Sequence, residues 1–88
     1  MAEFRLQIVT PERVVFDGSV ISIIAPGALG YLGVLAHHAP LLTTLGEGKF
    51  TVRRSDRIEE YLISGGFLEV RDNIASLLTD SFQVLITS

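Results

Sequence analysis

Turn-forming residues recur along the whole chain at intervals too short for helices of ordinary length. Between them lie short segments rich in Val, Ile, Leu, Phe and Thr, the residues that favour β-strands. The sequence therefore predicts an all-β fold. The turn residues are Pro11, Gly18, Pro26, Gly27, Gly30, Gly33, Pro40, Gly46, Gly48, Ser55, Asp56, Gly65, Gly66, Asp72, Asn73, Asp80 and Ser81.

The segments between these turns predict nine or ten strands. Many short strands joined by tight turns are typical of an antiparallel β-sandwich or flattened barrel. No linker, repeat or low-complexity tract interrupts the pattern, so we expect a single domain over residues 1–88. The nine clearest segments are 4–10, 13–16, 19–25, 41–45, 49–54, 58–64, 67–71, 74–79 and 82–87.

Alternation of apolar and polar residues indicates which strand faces are buried. Phe4, Leu6 and Ile8 share one face of the first segment, whereas Arg5 and Gln7 share the other. The segments 74–79 and 82–86 have no cleanly polar face. We expect those late strands to lie between layers or against a partner.

Composition excludes several classes of function. The chain has no cysteine, which removes disulfides, thiolate catalysis and cysteine-ligated zinc. Seven basic and ten acidic residues give a net charge of -3, without the basic stripe that nucleic-acid binding requires. The N-terminus has no basic region before an apolar stretch, and no run approaches the ~20 apolar residues of a membrane span. We therefore expect a soluble, unprocessed protein.

Three motifs resemble sites of chemistry but lack essential parts. The glycines of residues 27–33 are followed by no helix N-terminus that could bind a nucleotide phosphate. His37 and His38 are adjacent, so extended backbone would point their side chains to opposite faces. Ser64 lies in Ser-Gly-Gly rather than in a nucleophile elbow. We predict no catalytic residue, no metal and no cofactor.

A set of short motifs, in order over nearly the whole chain, resembles the N-terminal β-domain of the epsilon subunits of F-type ATP synthases. Each motif is weak alone, but their joint order and spacing are specific. The motifs are Val9-Thr10-Pro11-Glu12-Arg13, Phe16-Asp17-Gly18, Ala25-Pro26-Gly27, Gly33-Val34-Leu35, His38-Ala39-Pro40-Leu41-Leu42-Thr43, Gly48, Ser64-Gly65-Gly66-Phe67, Glu69-Val70 and Asn73.

The resemblance implies a ten-stranded β-sandwich and a mechanical, non-catalytic role. In that family the domain clamps the gamma subunit of the central stalk and contacts the polar loops of the membrane-embedded c-ring. The resemblance also implies a peripheral location on the cytoplasmic face of the bacterial plasma membrane. Carried over by position, the residues facing gamma are Thr10, Val15, Phe16, Leu42 and Thr43, and those near the c-ring are Gly30, Tyr31 and His38.

Two departures from the family pattern carry expectations of their own. Tyr31 stands where an acidic residue is common, which indicates a c-ring contact adapted to a different partner loop. Residues 1–88 include no part of the C-terminal helical hairpin that inhibits ATP hydrolysis in the family. We therefore expect neither nucleotide binding nor inhibition through a hairpin.

Two alternative classes remain open at the level of sequence. A biotinyl or lipoyl carrier domain is also small and rich in strands, and it needs one lysine at a hairpin tip. Lys49 is the only lysine, and it lacks the flanking residues of such a tip. A β-sandwich adaptor for an unrelated protein is the other alternative.

Overall fold

The computed structural model describes residues 1–87, which form strands, turns and short connections. No helix of these residues is long and apolar enough to cross a membrane. The eight strands are β1 (Phe4–Val9), β2 (Val14–Val20), β3 (Ser22–Gly27), β4 (Gly30–Leu35), β5 (Leu41–Arg53), β6 (Ile58–Arg71), β7 (Ile74–Leu78) and β8 (Phe82–Thr87).

Two long strands, β5 and β6, connect the layers of the sandwich. The hydrogen-bonded order is β2-β1-β7-β6-β5-β3-β4, with β8 also paired to β6. The N-terminal part of β5 and the C-terminal part of β6 join β7, β1 and β2 in a first layer. The remaining parts of β5 and β6 join β8, β3 and β4 in a second layer.

The core lies between the two layers and follows the predicted alternation. Phe4, Leu6 and Ile8 of β1 are buried, as are Phe50 and Val52 of β5. Burial of such side chains contributes roughly 1.5–3 kcal/mol each, so this interior is the main source of stability. The other buried apolar residues are Val20, Ile23, Ala25, Val34, Leu45, Tyr61, Ile63, Leu68, Val70, Ala75 and Leu77.

The all-β sandwich is confirmed, but the strand count is eight rather than nine or ten. Segments 41–45 and 49–54 belong to the continuous strand β5, and segments 58–64 and 67–71 to β6, because glycines bend these strands without ending them. β4 was not among the predicted segments, and it contains Gly30 and Gly33, which had been predicted to be turn residues. The sandwich is also not purely antiparallel, since β1 and β7 run parallel, and the sheet does not close into a barrel.

The connections lie at two opposite ends of the strands. We call the first of these the Thr10 end; it contains the β1–β2 turn, the β3–β4 turn and the bend of β6. Two backbone hydrogen bonds join these elements: Ala28 N–H donates to Thr44 O at 3.3 Å, and Thr79 N–H donates to Val9 O at 3.0 Å. At the other, the Asn73 end, the β4–β5 connection meets the β6–β7 turn, where Asn73 Oδ1 accepts from His37 N–H at 2.7 Å.

Candidate interaction surface

An exposed apolar row crosses the outer face of the first layer near the Thr10 end. Val9 of β1 is opposite Leu78 of β7, Leu78 is opposite Phe67 of β6, and Phe67 is opposite Thr44 of β5. Phe67 is 54% exposed and Leu78 is 50% exposed. We call Val9, Leu78 and Phe67 the outer apolar row.

Strand alternation explains why these side chains point outward. Their neighbours Ile8, Leu77 and Leu68 are fully buried and face the core, so the next residue on each strand must face away from it. An open groove of about 500 Å³ lies over the row, lined by Val9, Thr10, Pro11, Gly66, Phe67, Leu78, Thr79 and Asp80.

Polar groups border this apolar surface on the same face. Arg5 makes two hydrogen bonds to the Asp17 carboxylate, both at 2.8 Å, and Gln7 donates a third at 3.2 Å. The hydrogen bonds from Arg5 and then Gln7 lower the pKa of Asp17 to about 2. Asp17 therefore stays charged at neutral pH. An apolar centre with a charged rim is the usual anatomy of a protein–protein interface.

Leu42 lies on the same outer face of β5, opposite Glu69 of β6. It is 72% exposed and lies two residues from Thr44 on the same face of the strand. Thr43 between them faces the other way and is half-buried, and its hydroxyl donates to the Thr44 carbonyl at 3.3 Å. Leu42 is thus the most exposed of the residues predicted to face gamma.

The structure places Thr10 in the β1–β2 turn, where its side chain has a local partner. Thr10 is buried, its hydroxyl donates to the Arg13 carbonyl at 3.2 Å, and its N–H donates to the same oxygen at 2.9 Å. The side chain therefore holds the turn that carries Pro11 against the groove. Val15 is half-buried and lines a separate opening beside Phe82 and Gln83.

Phe16 has a packing role within the sandwich. Its half-buried ring lies across Gly18, where an added Cβ would be 3.5 Å from the ring. The Arg54 guanidinium stacks over the ring at 5.3 Å from its centroid, within the range of a cation–π contact. These contacts leave less of Phe16 for a partner than Leu42 offers.

Gly30 and Tyr31, predicted to lie near the c-ring, form the tip of the β3–β4 hairpin. Gly30 has φ of +139°, a region that favours glycine. The Tyr31 hydroxyl accepts from Lys49 N–H at 3.2 Å, and its oxygen lies within 2.9 Å of where a Cβ on Gly48 would stand. The hydroxyl is anchored while much of the ring stays exposed. Leu29, which was not among the predicted site residues, is fully exposed at the same tip.

His38 lies at the Asn73 end, away from Gly30 and Tyr31. Its N–H donates to the Leu35 carbonyl at 3.2 Å, and its Nδ1 is 2.6 Å from the Ala39 carbonyl oxygen. The length of β4 separates it from Tyr31, about 17 Å for a strand of this size. The structure therefore does not gather the three predicted c-ring residues at one place. Within residues 1–87, no group of three or more His, Cys, Asp or Glu side chains is placed to hold a metal.

Lys49 does not have the setting of a carrier lysine. It lies within β5 opposite Leu62 rather than at a hairpin tip, and its ammonium pairs with Glu60 at 3.4 Å. The lysine side chain is therefore part of a cross-strand ion pair.

Val9, Phe67 and Leu78 were not predicted from the sequence to be contact residues. One signal for Leu78 was present, because segment 74–79 lacked a polar face and was predicted to lie between layers or against a partner. No such signal marked Phe67, which opens the predicted segment 67–71 directly after the turn residues Gly65 and Gly66.

Comparison with known proteins identifies the family of this sandwich. The sequence model described as "ATP synthase, Delta/Epsilon chain, beta-sandwich domain" matches residues 3–84. The chain is 51% identical over 82 residues to the ATP synthase epsilon chain of Moorella thermoacetica, a match that covers 92% of this chain and 61% of that relative. It is 50% identical over 78 residues to the epsilon chain of Chlorobaculum tepidum, covering 88% of this chain and 89% of the relative.

Solved structures share the same architecture. A chain in the cryo-EM structure of the Euglena gracilis mitochondrial ATP synthase, OSCP/F1/c-ring, superimposes with a TM-score of 0.90 at 25% identity, covering 96% of this chain and 54% of that one. A chain of the Tetrahymena thermophila central stalk and c-ring structure shares the fold, with a TM-score of 0.77 at 21% identity over 89% of this chain and 63% of that one.

The coverage of these relatives differs. The chain spans about 61% of the length of the Moorella relative and of the epsilon chain of Leptospira borgpetersenii, to which it is 38% identical over 78 residues. Eight paired strands, a core between two layers and a family match over residues 3–84 agree with one another. The chain belongs to the β-sandwich domain family of ATP synthase delta/epsilon chains.

Proposed function

We propose that the chain is a non-catalytic component of the ATP synthase rotor, which docks on the gamma subunit and contacts the c-ring. Its relatives are named ATP synthase epsilon chains, and the Euglena neighbour belongs to an assembly that contains F1 and the c-ring. By joining the two, the domain would help couple rotation driven by protons to ATP synthesis. It would then lie on the cytoplasmic face of the bacterial plasma membrane.

The outer apolar row is the observation that carries gamma docking. Phe67, Leu78 and Leu42 are each half exposed or more. Exposure of several large apolar side chains on one face is unfavourable in water and is typical of a surface that binds a partner. A partner that covers these side chains would remove that area from water at about 25 cal/mol per Å². The charged rim of Arg5 and Asp17 would orient the partner.

Aspartate substitutions in the apolar surface test this docking site. We expect Phe67→Asp and Leu42→Asp each to weaken binding to purified gamma at least tenfold, or about 1.4 kcal/mol, because a carboxylate would be buried in an apolar interface. Isothermal titration calorimetry gives the affinities.

The matched control for these variants is Leu35→Asp. Leu35 is similarly exposed but lies on β4 in the second layer. Circular dichroism establishes that each variant is folded. Equal weakening by all three substitutions, or wild-type affinity for Phe67→Asp and Leu42→Asp, would contradict docking through the first layer.

For the c-ring contact, the hairpin tip at Gly30 and Tyr31 is the stronger candidate. The tip projects an exposed aromatic ring and the exposed Leu29, and Tyr31 is held in place through Lys49 N–H. An anchored aromatic side chain loses little conformational entropy on binding.

Substitution of Tyr31 separates the two proposed contacts. We expect Tyr31→Ala to weaken association with the isolated c-ring several-fold while gamma binding changes little, because Tyr31 lies on β4 in the second layer and is not part of the outer apolar row. Tyr31→Phe retains the aromatic ring and serves as the control.

His38 lies at the opposite end of the strands, so His38→Ala shows whether the c-ring also contacts that end. If Tyr31→Ala weakened binding to the c-ring and to gamma equally, a separate c-ring contact would be refuted.

A further inference from the structure

One acidic side chain lies among the exposed apolar residues of the first layer. Strand pairing places Glu69 of β6 directly opposite Leu42 of β5, and Phe67 lies two residues away on the same face of β6. Glu69 is exposed, whereas its neighbours Leu68 and Val70 are buried and face the core. The Glu69 carboxylate is therefore beside two of the large apolar side chains that are proposed to contact gamma.

The other charged groups on this face have partners within the chain. Arg5 holds the Asp17 carboxylate through two hydrogen bonds. Arg71 lies two residues beyond Glu69 on the same face of β6, and its guanidinium pairs with Asp72 at 3.9 Å. Over residues 1–87, no ion pair of 4 Å or less includes Glu69.

The strands on either side of Glu69 present no charge to it. Ser76 of β7 is opposite Glu69 on one side, and Leu42 of β5 is opposite it on the other. The next outward residues on these two strands are also uncharged: Ile74, Leu78 and Thr44. In the free chain, water is therefore the main group that stabilises this carboxylate.

A partner that covers Leu42 and Phe67 also takes water away from Glu69. Removal of an ionised carboxylate from water is strongly unfavourable unless a cation or hydrogen-bond donors replace that water. Tight docking on this face therefore requires a positive group of the partner at the position of Glu69.

We propose that a basic side chain of gamma pairs with the Glu69 carboxylate, and that this ion pair makes the first layer specific for its partner. The inference rests on the proposed docking of gamma on this layer. An arginine fits best, because the short side chain of Ser76 leaves room for a guanidinium, which can make two parallel hydrogen bonds to a carboxylate. The apolar side chains supply contact area, whereas the ion pair selects the partner and its orientation.

Replacement of Glu69 by leucine tests this ion pair through the sign of the effect. Glu69→Leu weakens binding to purified gamma about tenfold or more, because the basic group of gamma is then buried without its counter-charge. If gamma had no basic group there, the same substitution would strengthen binding, since it adds apolar area and removes a carboxylate that must be desolvated. Isothermal titration calorimetry gives both affinities.

Two further variants complete this experiment. Glu69→Gln keeps the shape of the side chain and removes its charge, and it weakens binding about threefold or more. Glu47→Leu is the matched control, because Glu47 is also exposed on a strand but lies on the part of β5 that belongs to the second layer. It binds gamma with wild-type affinity. Circular dichroism establishes that each variant is folded, and Glu69→Gln decides the question if Glu69→Leu does not fold.

Double-mutant cycles identify the basic residue of gamma. Each arginine and lysine on the surface of gamma is changed singly to methionine, and each variant is titrated with the wild-type chain and with Glu69→Gln. One gamma variant loses affinity for the wild-type chain but little for Glu69→Gln, with a coupling of about fivefold or more. Coupling below about twofold for every basic residue of gamma would overturn the proposal.

The ion pair and the docking site can fail separately. Binding by Glu69→Leu as tight as wild type, or tighter, overturns the ion pair; if Phe67→Asp still weakens binding, docking on the first layer stands. A wild-type chain that does not bind gamma overturns the docking site, and the ion pair with it.

Discussion

At the scale of single residues, Gly66 shows why the bend of β6 needs glycine. Its φ is +135°, and a Cβ at this position would overlap the Leu78 carbonyl oxygen of β7. No L-residue adopts this backbone without strain, and none fits beside β7 without displacing it. Gly66 thereby sets the place where Phe67 turns outward into the apolar row.

Gly66→Ala should lower the free energy of unfolding by about 2–3 kcal/mol, because backbone strain and overlap with β7 act together. Urea denaturation followed by circular dichroism measures the change. Gly46→Ala is the control, since its φ is ordinary and its nearest neighbours lie 3.9 Å from an added Cβ. We expect it to cost less than about 1 kcal/mol. A similar cost for both variants would contradict the assigned role of Gly66.

Residue positions carried over from a family resemblance give no side-chain direction. Leu42 and Thr43 are neighbours in sequence, yet Leu42 points to solvent and Thr43 points inward. Thr10 bonds to Arg13 within its own turn, whereas Phe16 has a partner, Arg54, that only the folded chain brings to it. Exposure decides which of these side chains a partner can reach, and exposure depends on contacts distant in sequence.

At the scale of strands, local patterns predicted the type of element better than its ends. Alternation in β1 identified Phe4, Leu6 and Ile8 as buried because one face of that strand packs on the core. Glycines were read as breaks between strands, but in β5 and β6 the ladder of paired residues continues on both sides of the bend. β4 was missed because Gly30 and Gly33 resemble turn residues when their pairing with β3 is unknown.

Asn73 joins three elements at the Asn73 end. With φ of +62°, it accepts a hydrogen bond from His37 N–H at 2.7 Å and donates one to the Glu3 carbonyl at 3.0 Å. The β6–β7 turn is thereby fastened to the β4–β5 connection and to the start of β1.

We expect Asn73→Gly to lower the free energy of unfolding by about 1–2 kcal/mol, because both hydrogen bonds are lost while the positive φ is kept. Asp72→Gly is the matched control, since Asp72 also has positive φ and its ion pair with Arg71 is exposed and 3.9 Å long. That variant should change stability by less than about 0.5 kcal/mol. Chemical denaturation compares the two. Equal effects would show that Asn73 acts through its backbone alone.

At the scale of the whole molecule, sequence predicted the fold class and the family, but not the interaction surface. Turn spacing and strand composition were sufficient for an all-β domain, because both are local properties. The outer apolar row combines Val9, Phe67 and Leu78 from three strands, two of which meet in a parallel pair that local patterns do not reveal. The surface therefore becomes visible only after the strands have been placed in order.

In the proposed function, different parts of one sandwich contact different partners. The proposal is that the first layer presents its apolar surface to gamma and that the β3–β4 tip extends to the c-ring. The central claim is that gamma covers the outer face of the first layer.

Methyl NMR of the labelled chain, alone and with saturating gamma, tests that claim most directly. We predict that the methyl signals of Val9, Leu42 and Leu78 shift or broaden on binding, while those of Ile24 and Leu35, exposed on the second layer, stay unchanged. Perturbation confined to Ile24 and Leu35 would place gamma on the opposite face and contradict the account.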